Sequence, residues 1–205
     1  HTVEKNLLEG ALIVIFILVL FLGNLRAGLI VATAIPLSLL FALGMMNLFG
    51  VSANLMSLGA IDFGIIVDGS VIVVEAVMHH LAIRKNHQRL TQAQMDEEVF
   101  HSASKIRSSA AFGEIIILMV YIPILTLVGV EGKMFRPMAQ TVVFAILGAL
   151  ILSLTYIPAM SALLLPKTVS DKRSFAERII SWLYRHYQPL FVRSIRLRGW
   201  IIGST

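Results

Sequence analysis

Three carboxylic acids, Asp62, Asp68 and Glu75, lie in one apolar stretch, LMSLGAIDFGIIVDGSVIVVEAVMHH, at residues 55–80. A charged side chain at the centre of a membrane helix costs about 2.5–3.5 kcal/mol on insertion scales, so three acids are expected to bring a functional benefit. A carboxyl group out of water favours its neutral form, whereas a nearby cation favours the charged form. A group between these influences can take up a proton on one side of a membrane and release it on the other, as in proton relays.

Helical geometry places two of these acids on one face. Asp68 and Glu75 are about 20° apart around a helix and about 10 Å apart along it. Asp62 lies about 120° from Asp68, so we expect it to face a different neighbour or to lie nearer the outer mouth. His79 continues the shared face, and Gly64 on the same face would let another helix approach closely. The alternative is that the acids only form hydrogen bonds or ion pairs between helices.

The composition around these acids is that of a membrane protein. Of the 205 residues, 57% are hydrophobic and 14% are charged, and the mean hydropathy is +0.83. A soluble domain has roughly 25% charged residues, so the composition argues against a soluble enzyme, a nucleic-acid binder and a disordered tail. The chain has no cysteine, which excludes a disulfide framework and a thiol nucleophile. We find no nucleophile–base set and no phosphate-binding loop, so we predict neither an enzyme nor a cofactor.

The apolar runs predict an all-α, polytopic membrane helix bundle over residues 1–166. Roughly 20 apolar residues cross a bilayer as a helix, and five runs qualify, at about 7–25, 28–48, 55–79, 108–130 and 138–165. NLFGVSAN, at residues 47–54, predicts a turn. Pro36, Pro123 and Pro158 fall inside spans and are interpreted as kinks, which membrane helices tolerate.

The C-terminal part has a different pattern. Residues 167–198 are predicted to be a cytoplasmic connector, because SFAERIISWLYRHYQPL has the spacing of a basic amphipathic surface helix. Residues 199–205 are interpreted as the start of a sixth span. Since the chain begins without Met and ends in this apolar stretch, we expect it to be a piece of a larger protein.

Lys and Arg residues predict the orientation. Fourteen of the 17 fall on one side when the connections are numbered alternately, and the basic side of a membrane protein is cytoplasmic. Residues 81–107 and 167–198 are therefore predicted to be cytoplasmic, and the N-terminus periplasmic. The basic net charge is thus a topology signal, and a nucleic-acid patch is the weaker interpretation.

The His and Met residues and the other two acids in the predicted spans are weaker candidates for a functional site. None of the six His residues lies in the middle of a span, and the nine Met residues are scattered, so no metal site is predicted in this chain. Glu9 and Glu114 are interpreted as interfacial acids near span edges. None of the other four spans has a Lys or Arg at its middle, so the countercharge for the three acids is expected from outside the chain.

The segment DFGIIVDGSVIVVE, residues 62–75, resembles the fourth transmembrane helix of the heavy-metal efflux branch of the resistance-nodulation-division superfamily, of the cobalt-zinc-cadmium type. Further matching segments are TVEKNLLEGALIV, FLGNLRAGLI, IPLSLLFA, SANLMSLGAIDFG and GVEGKMFRPMAQTV. The resemblance is collinear and covers nearly the whole chain. It departs at Ala76, where the family usually has Asn.

The resemblance implies transmembrane helices two to six of a twelve-helix subunit. The whole protein would be a homotrimer in a Gram-negative inner membrane, joined to a periplasmic adaptor and an outer-membrane channel. It would exchange inward-moving protons for the export of a divalent metal such as Zn, Co, Cd or Ni. Asp62, Asp68 and Glu75 match the family's proton-pathway acids, whereas the partner Lys and the metal-binding domains would lie outside this chain.

Two alternatives remain open from the sequence. The drug-efflux branch of the superfamily normally has two adjacent acids in this helix, where this chain has Asp68 and Gly69. A non-transporting scaffold or sensing bundle needs no acidic stripe. Both alternatives are therefore weaker than metal efflux.

Overall fold

The computed structural model describes residues 2–52, 61–83 and 90–166, together with Tyr184, Arg185 and Tyr187. These residues form helices and short connections, and the described ranges contain no strand. The all-α membrane fold predicted from the sequence is confirmed. The helices in chain order are α1 (Thr2–Leu22), α2 (Leu25–Leu48), α3 (Phe63–Ile83), α4 (Gln92–Leu125), α5 (Gly129–Leu154) and α6 (Tyr156–Leu164).

The corner between α1 and α2 is made by two residues with special backbone roles. Gly23 has a positive φ of 62°, which glycine adopts without steric cost. Asn24 caps α2, because its side chain accepts hydrogen bonds from the backbone N–H groups of Arg26 (3.0 Å) and Ala27 (3.4 Å). This cap satisfies donors that have no partner within the helix.

The predicted turn after α2 is confirmed as far as Ser52, where the described range ends. Gly50 has a positive φ of 65°. The backbone N–H of Val51 donates to the carbonyl of Met46 at 2.8 Å, and that of Phe49 donates to Met45 at 2.9 Å. A left-handed glycine with such backward hydrogen bonds is a common helix stop.

Helix α4 begins well before the predicted fourth span. Thr91 and Gln94 form a capping box: the Thr91 hydroxyl accepts from the Gln94 N–H at 3.4 Å, and the Gln94 side chain accepts from the Thr91 N–H at 3.1 Å. The helix runs through the polar residues that follow and then through an apolar stretch to Leu125. Much of the predicted cytoplasmic segment 81–107 is therefore helical, because hydropathy reports an apolar run and not the start of a helix.

The fifth predicted span is divided into two helices. α5 ends at Leu154, and α6 starts at Tyr156. Pro158 stands four residues after Leu154, so it has no N–H to donate to that carbonyl, and its ring crowds the same group. The proline interpreted as a kink therefore coincides with a break at Thr155.

Small residues line the bundle's interior. Phe41 of α2 packs into a notch at Gly148 of α5, where an added Cβ would lie 2.7 Å from the Phe41 ring. Close approach through small residues is the usual way that membrane helices associate. The other small buried residues of these two helices are Ala27, Gly28, Ala32, Ala34, Ser38, Ala42, Gly132, Ala139, Thr141, Ala145, Ala149 and Ser153.

Helix α3 is the central element, because it contacts each of the other five described helices. Four stretches are long and apolar enough to cross a membrane: Leu25–Leu48, Phe63–Ala82, Gln92–Leu125 and Gly129–Leu154. In α1 the apolar part, Leu8–Leu22, is shorter. The amphipathic connector lies outside the described residues except for Tyr184, Arg185 and Tyr187, which are helical and exposed. The start of the sixth span lies wholly outside them.

Candidate proton-pathway site

Helix α3 carries an exposed acidic face. Asp68, Ile72, Glu75 and His79 are all exposed, and their spacing of four, three and four residues places them on one side of a helix. We call these four residues the outer face of α3. The sequence prediction that Asp68 and Glu75 share a face, continued by His79, is confirmed.

The opposite side of α3 is closed by its neighbours. The residues there are at most 4% exposed and include Ile66, Val67, Ser70, Val73, Val74 and Val77. A helix that contacts five others thus has one side without a partner among the described residues. That side is the one that carries the acids.

Asp62 has a local structural role that the sequence interpretation did not include. It precedes the first residue of α3, and its Oδ1 accepts a hydrogen bond from the backbone N–H of Gly64 at 2.8 Å. This is the geometry of an N-cap, and a negative charge there also suits the positive end of the helix dipole. Asp62 thus lies at the start of the helix and off its outer face, as its angular offset from Asp68 suggested.

Glu114 of α4 is the acid that the sequence interpretation placed wrongly. It was expected at an interface with water, but its side chain is only 3% exposed. Neither carboxylate oxygen has a hydrogen-bond partner among the described residues. A buried and unpaired carboxyl group calls for an explanation, because most buried polar groups are paired.

The Glu114 carboxylate lies against α3 beside Asp68. A Cβ added at Gly69 would overlap Glu114 Oε1 and would lie 3.3 Å from the Ser153 hydroxyl of α5. Three helices therefore meet at this carboxylate. Gly69 is thus the glycine of α3 at which another helix approaches closely. At Gly64, the glycine that the sequence indicated, an added Cβ would instead lie 3.1 Å from Asp62 Oδ1.

The acids have no cationic partner in the part of the chain that the structure describes. No Lys or Arg there forms an ion pair with Asp68, Glu75 or Glu114. Near the end of α3, His80 Nε2 lies 2.9 Å from Glu98 Oε2, and the His80 and His101 rings are 5.5 Å apart. Across the described ranges, no group of three or more His, Asp and Glu residues is arranged to hold a metal ion.

A sequence signal for Glu114 did exist. It stands in the apolar run AAFGEIIILMVYIPIL, and Gly69 directly follows Asp68 in α3. Neither residue indicates the other, because 45 positions separate them in the chain. Only the packing of α4 on α3 brings them together.

Comparison with known proteins identifies the family. The family model described as the AcrB/AcrD/AcrF family matches residues 1–205. The chain is 53% identical over 197 residues to the cobalt-zinc-cadmium resistance protein CzcA of Cupriavidus metallidurans, which covers 95% of this chain and 18% of that protein. It is 47% identical over 196 residues to the nickel-cobalt-cadmium resistance protein NccA of Alcaligenes xylosoxydans xylosoxydans, with coverages of 95% and 18%.

A solved structure agrees with these relatives. The crystal structure of a heavy metal efflux pump matches all of this chain and 19% of its own chain, with a TM-score of 0.71 and 36% identity. The chain thus spans less than one fifth of the length of the proteins that it matches. The family model, the relatives and this fold together confirm the resemblance predicted from the sequence. The chain therefore belongs to the AcrB/AcrD/AcrF family, and its similarity lies with the heavy-metal efflux branch.

Proposed function

We propose that this chain is part of the membrane domain of a proton-driven heavy-metal efflux pump, a secondary transporter and not an enzyme. The whole pump exports a divalent metal cation such as Zn, Co, Cd or Ni and takes up protons in exchange. The observation that carries the proposal is the outer face of α3, where Asp68 and Glu75 stand exposed on an apolar helix. The relatives CzcA and NccA are named for resistance to cobalt, zinc, nickel and cadmium, which supports the choice of exported metal.

Asp68 and Glu75 are the principal proton carriers in this proposal. An acid that is exposed to the space beside the bundle can meet a neighbouring helix, a cation or a file of water. A cation supplied by a helix beyond this chain would favour the charged form, and its withdrawal would favour proton uptake. Asp62 is assigned to the periplasmic end of the same pathway, in addition to its capping role.

Membership of the family supports the proposed assembly. The whole protein forms a homotrimer that works with a periplasmic adaptor and an outer-membrane channel. It lies in the inner membrane as a multi-pass protein, with the N-terminus of this chain in the periplasm. Residues 81–107 and 167–198 lie on the cytoplasmic side, as the distribution of Lys and Arg predicts.

The test is the substitution Asp68→Asn in the full-length pump, reconstituted in vesicles with an imposed proton gradient. Asn keeps the size of the side chain but cannot release a proton, so we expect gradient-driven zinc or cadmium export to be lost. Glu97→Gln is the matched control, because Glu97 is an exposed acid that belongs to α4 and not to the outer face of α3. We expect this control to export at the unsubstituted rate.

The assay also separates the alternatives. Expression and trimer formation should be unchanged in Asp68→Asn, since an exposed side chain is replaced by one of the same size. Normal metal export by this variant would refute the proposed relay. Export of organic compounds without export of metal by the unsubstituted pump would favour the drug-efflux alternative.

A further inference from the structure

Glu114 is set apart from the three acids found in the sequence by its surroundings. Its carboxylate is enclosed between α3, α4 and α5, with Gly69 on one side and Ser153 nearby. The Ser153 hydroxyl donates its hydrogen bond to the carbonyl of Leu150 at 2.9 Å, so its proton is engaged elsewhere. The carboxylate thus has no donor among the described residues.

The charged and titratable groups around Glu114 are few. On α3 the neighbouring acids are Asp68 and Glu75, both on the outer face. The part of α5 from Pro137 to Leu154 has no Asp, Glu, Lys, Arg or His, and the titratable group of α6 is the Tyr156 phenol. Along α4 itself, the exposed Arg107 stands two turns, or about 10 Å, before Glu114, and the partly buried Tyr121 stands two turns after it.

An unpaired carboxylate in such a place is far more costly than the neutral acid, so the group neutralises instead. From this geometry we infer that Glu114 is a further proton-binding residue of the pump, holding a proton while α4 is packed against Gly69. Release breaks the O–H bond of the carboxylic acid. The proton passes to the Asp68 carboxylate or to water, and Glu114 remains as the anion. This step requires α4 to move away from α3, which ties proton release to a change of conformation.

This inference rests on the proposed function, but its geometry offers a test of its own. The Glu114 carboxylate fills the space that a side chain at position 69 would occupy. The acid can therefore be moved from α4 to α3 by combining Gly69→Asp with Glu114→Ala. The matched control combines Gly69→Asn with Glu114→Ala, which restores the volume but not the proton.

In the full-length pump, Glu114→Gln and Glu114→Ala should lower proton-driven zinc export about 100-fold, the low end of what a positioned proton carrier contributes. The Asp-containing double variant should recover most of that loss, and the Asn-containing one should not. Equal recovery by both double variants would show that Glu114 only fills space. An unchanged export rate in Glu114→Gln would also overturn the inference.

Infrared spectroscopy of the same proteins in lipid vesicles gives a readout that needs no transport. At neutral pH the unsubstituted pump should show the C=O stretch of a protonated carboxylic acid, lost in Glu114→Gln and kept in Glu97→Gln. An identical band in Glu114→Gln would refute the inference even if that variant exports poorly. Normal metal export by Asp68→Asn would refute the proposed function, whereas an identical carboxylic-acid band in Glu114→Gln would refute only this inference. The two failures are therefore distinguishable.

Discussion

The two sides of α3 differ in whether other helices pack against them. The outer face presents Asp68 and Glu75 with no partner among the described residues, whereas the opposite side is closely packed around Ser70 and Val74. The same helix thus carries acids that have room to change partners on one side. Its other side is closely packed, and this packed side, which we call the seam, keeps the helix in place. This arrangement suits the proposed roles of Asp68 and Glu75, because a proton-carrying side chain changes partners while its own helix stays in place.

Glu114 adds a third environment at the edge of that seam. It is enclosed like the packed side and ionisable like the outer face. A proton bound there is enclosed by three helices, whereas one bound at Asp68 lies on the outer face of α3. The two proposals thus assign different settings to the carboxyl groups: Asp68 and Glu75 would carry protons on the outer face, and Glu114 would hold one only while α4 packs against α3.

The largest difference between the two sides of α3 is expected when a carboxyl group is added to each of them. Val74→Asp would place a carboxyl group at a position with 0% exposure, whereas Ile72→Asp would add one to the outer face at 42% exposure. In the full-length pump, we expect Val74→Asp to lower the free energy of unfolding by about 2.5–3.5 kcal/mol, the cost of an acid at a helix centre, and to reduce the yield of the proposed trimer. Size-exclusion chromatography and thermal unfolding in detergent measure both effects.

Ile72→Asp serves as the control for that experiment. It should assemble normally if the outer face of α3 meets a polar or water-filled space. Equal loss of trimer in both variants would show that the outer face meets an apolar environment, either lipid or a packed helix, and the proposed pathway would then lie elsewhere.

A smaller effect is expected from adding a methyl group at the seam. Gly69→Ala forces a Cβ into the Glu114 carboxylate, and such overpacking costs about 1–3 kcal/mol. Gly113→Ala is the matched substitution on α4, because a Cβ there meets nothing within 4 Å. It should stabilise the helix by about 0.8–1 kcal/mol through helix propensity. Thermal unfolding should therefore move in opposite directions for these two variants, and equal shifts would contradict the packing described here.

The smallest effect concerns Asp62, whose two assigned roles make different demands. Loss of an N-cap costs about 0.5–2 kcal/mol when Ala replaces Asp, and Asn caps about as well as Asp. Asp62→Ala should therefore lower the unfolding temperature, and Asp62→Asn should not. Zinc export separates the second role: normal export by Asp62→Asn would leave Asp62 as a cap alone and confine the proton pathway to Asp68, Glu75 and Glu114.

Several features of the fold could be predicted because they depend on residues close together in the chain. The shared face of Asp68 and Glu75 follows from the helical repeat, and the turn at Gly50 follows from turn chemistry. The start of α4 at Gln92 was missed even though its capping box is local, because the spans were placed by hydropathy. The break at Thr155 was anticipated only as a kink, since proline tolerance depends on what surrounds the freed carbonyl.

The amino-acid sequence alone determined that the chain forms apolar helices and that one of them carries a row of acids, because periodicity and composition act locally. The tertiary structure decided which side of α3 stays open and which is closed. It also decided that Glu114 of α4 meets Gly69 of α3 and lies near Ser153 of α5. Burial is a property of neighbours distant in the chain, and no local pattern around Glu114 states which helix will cover it.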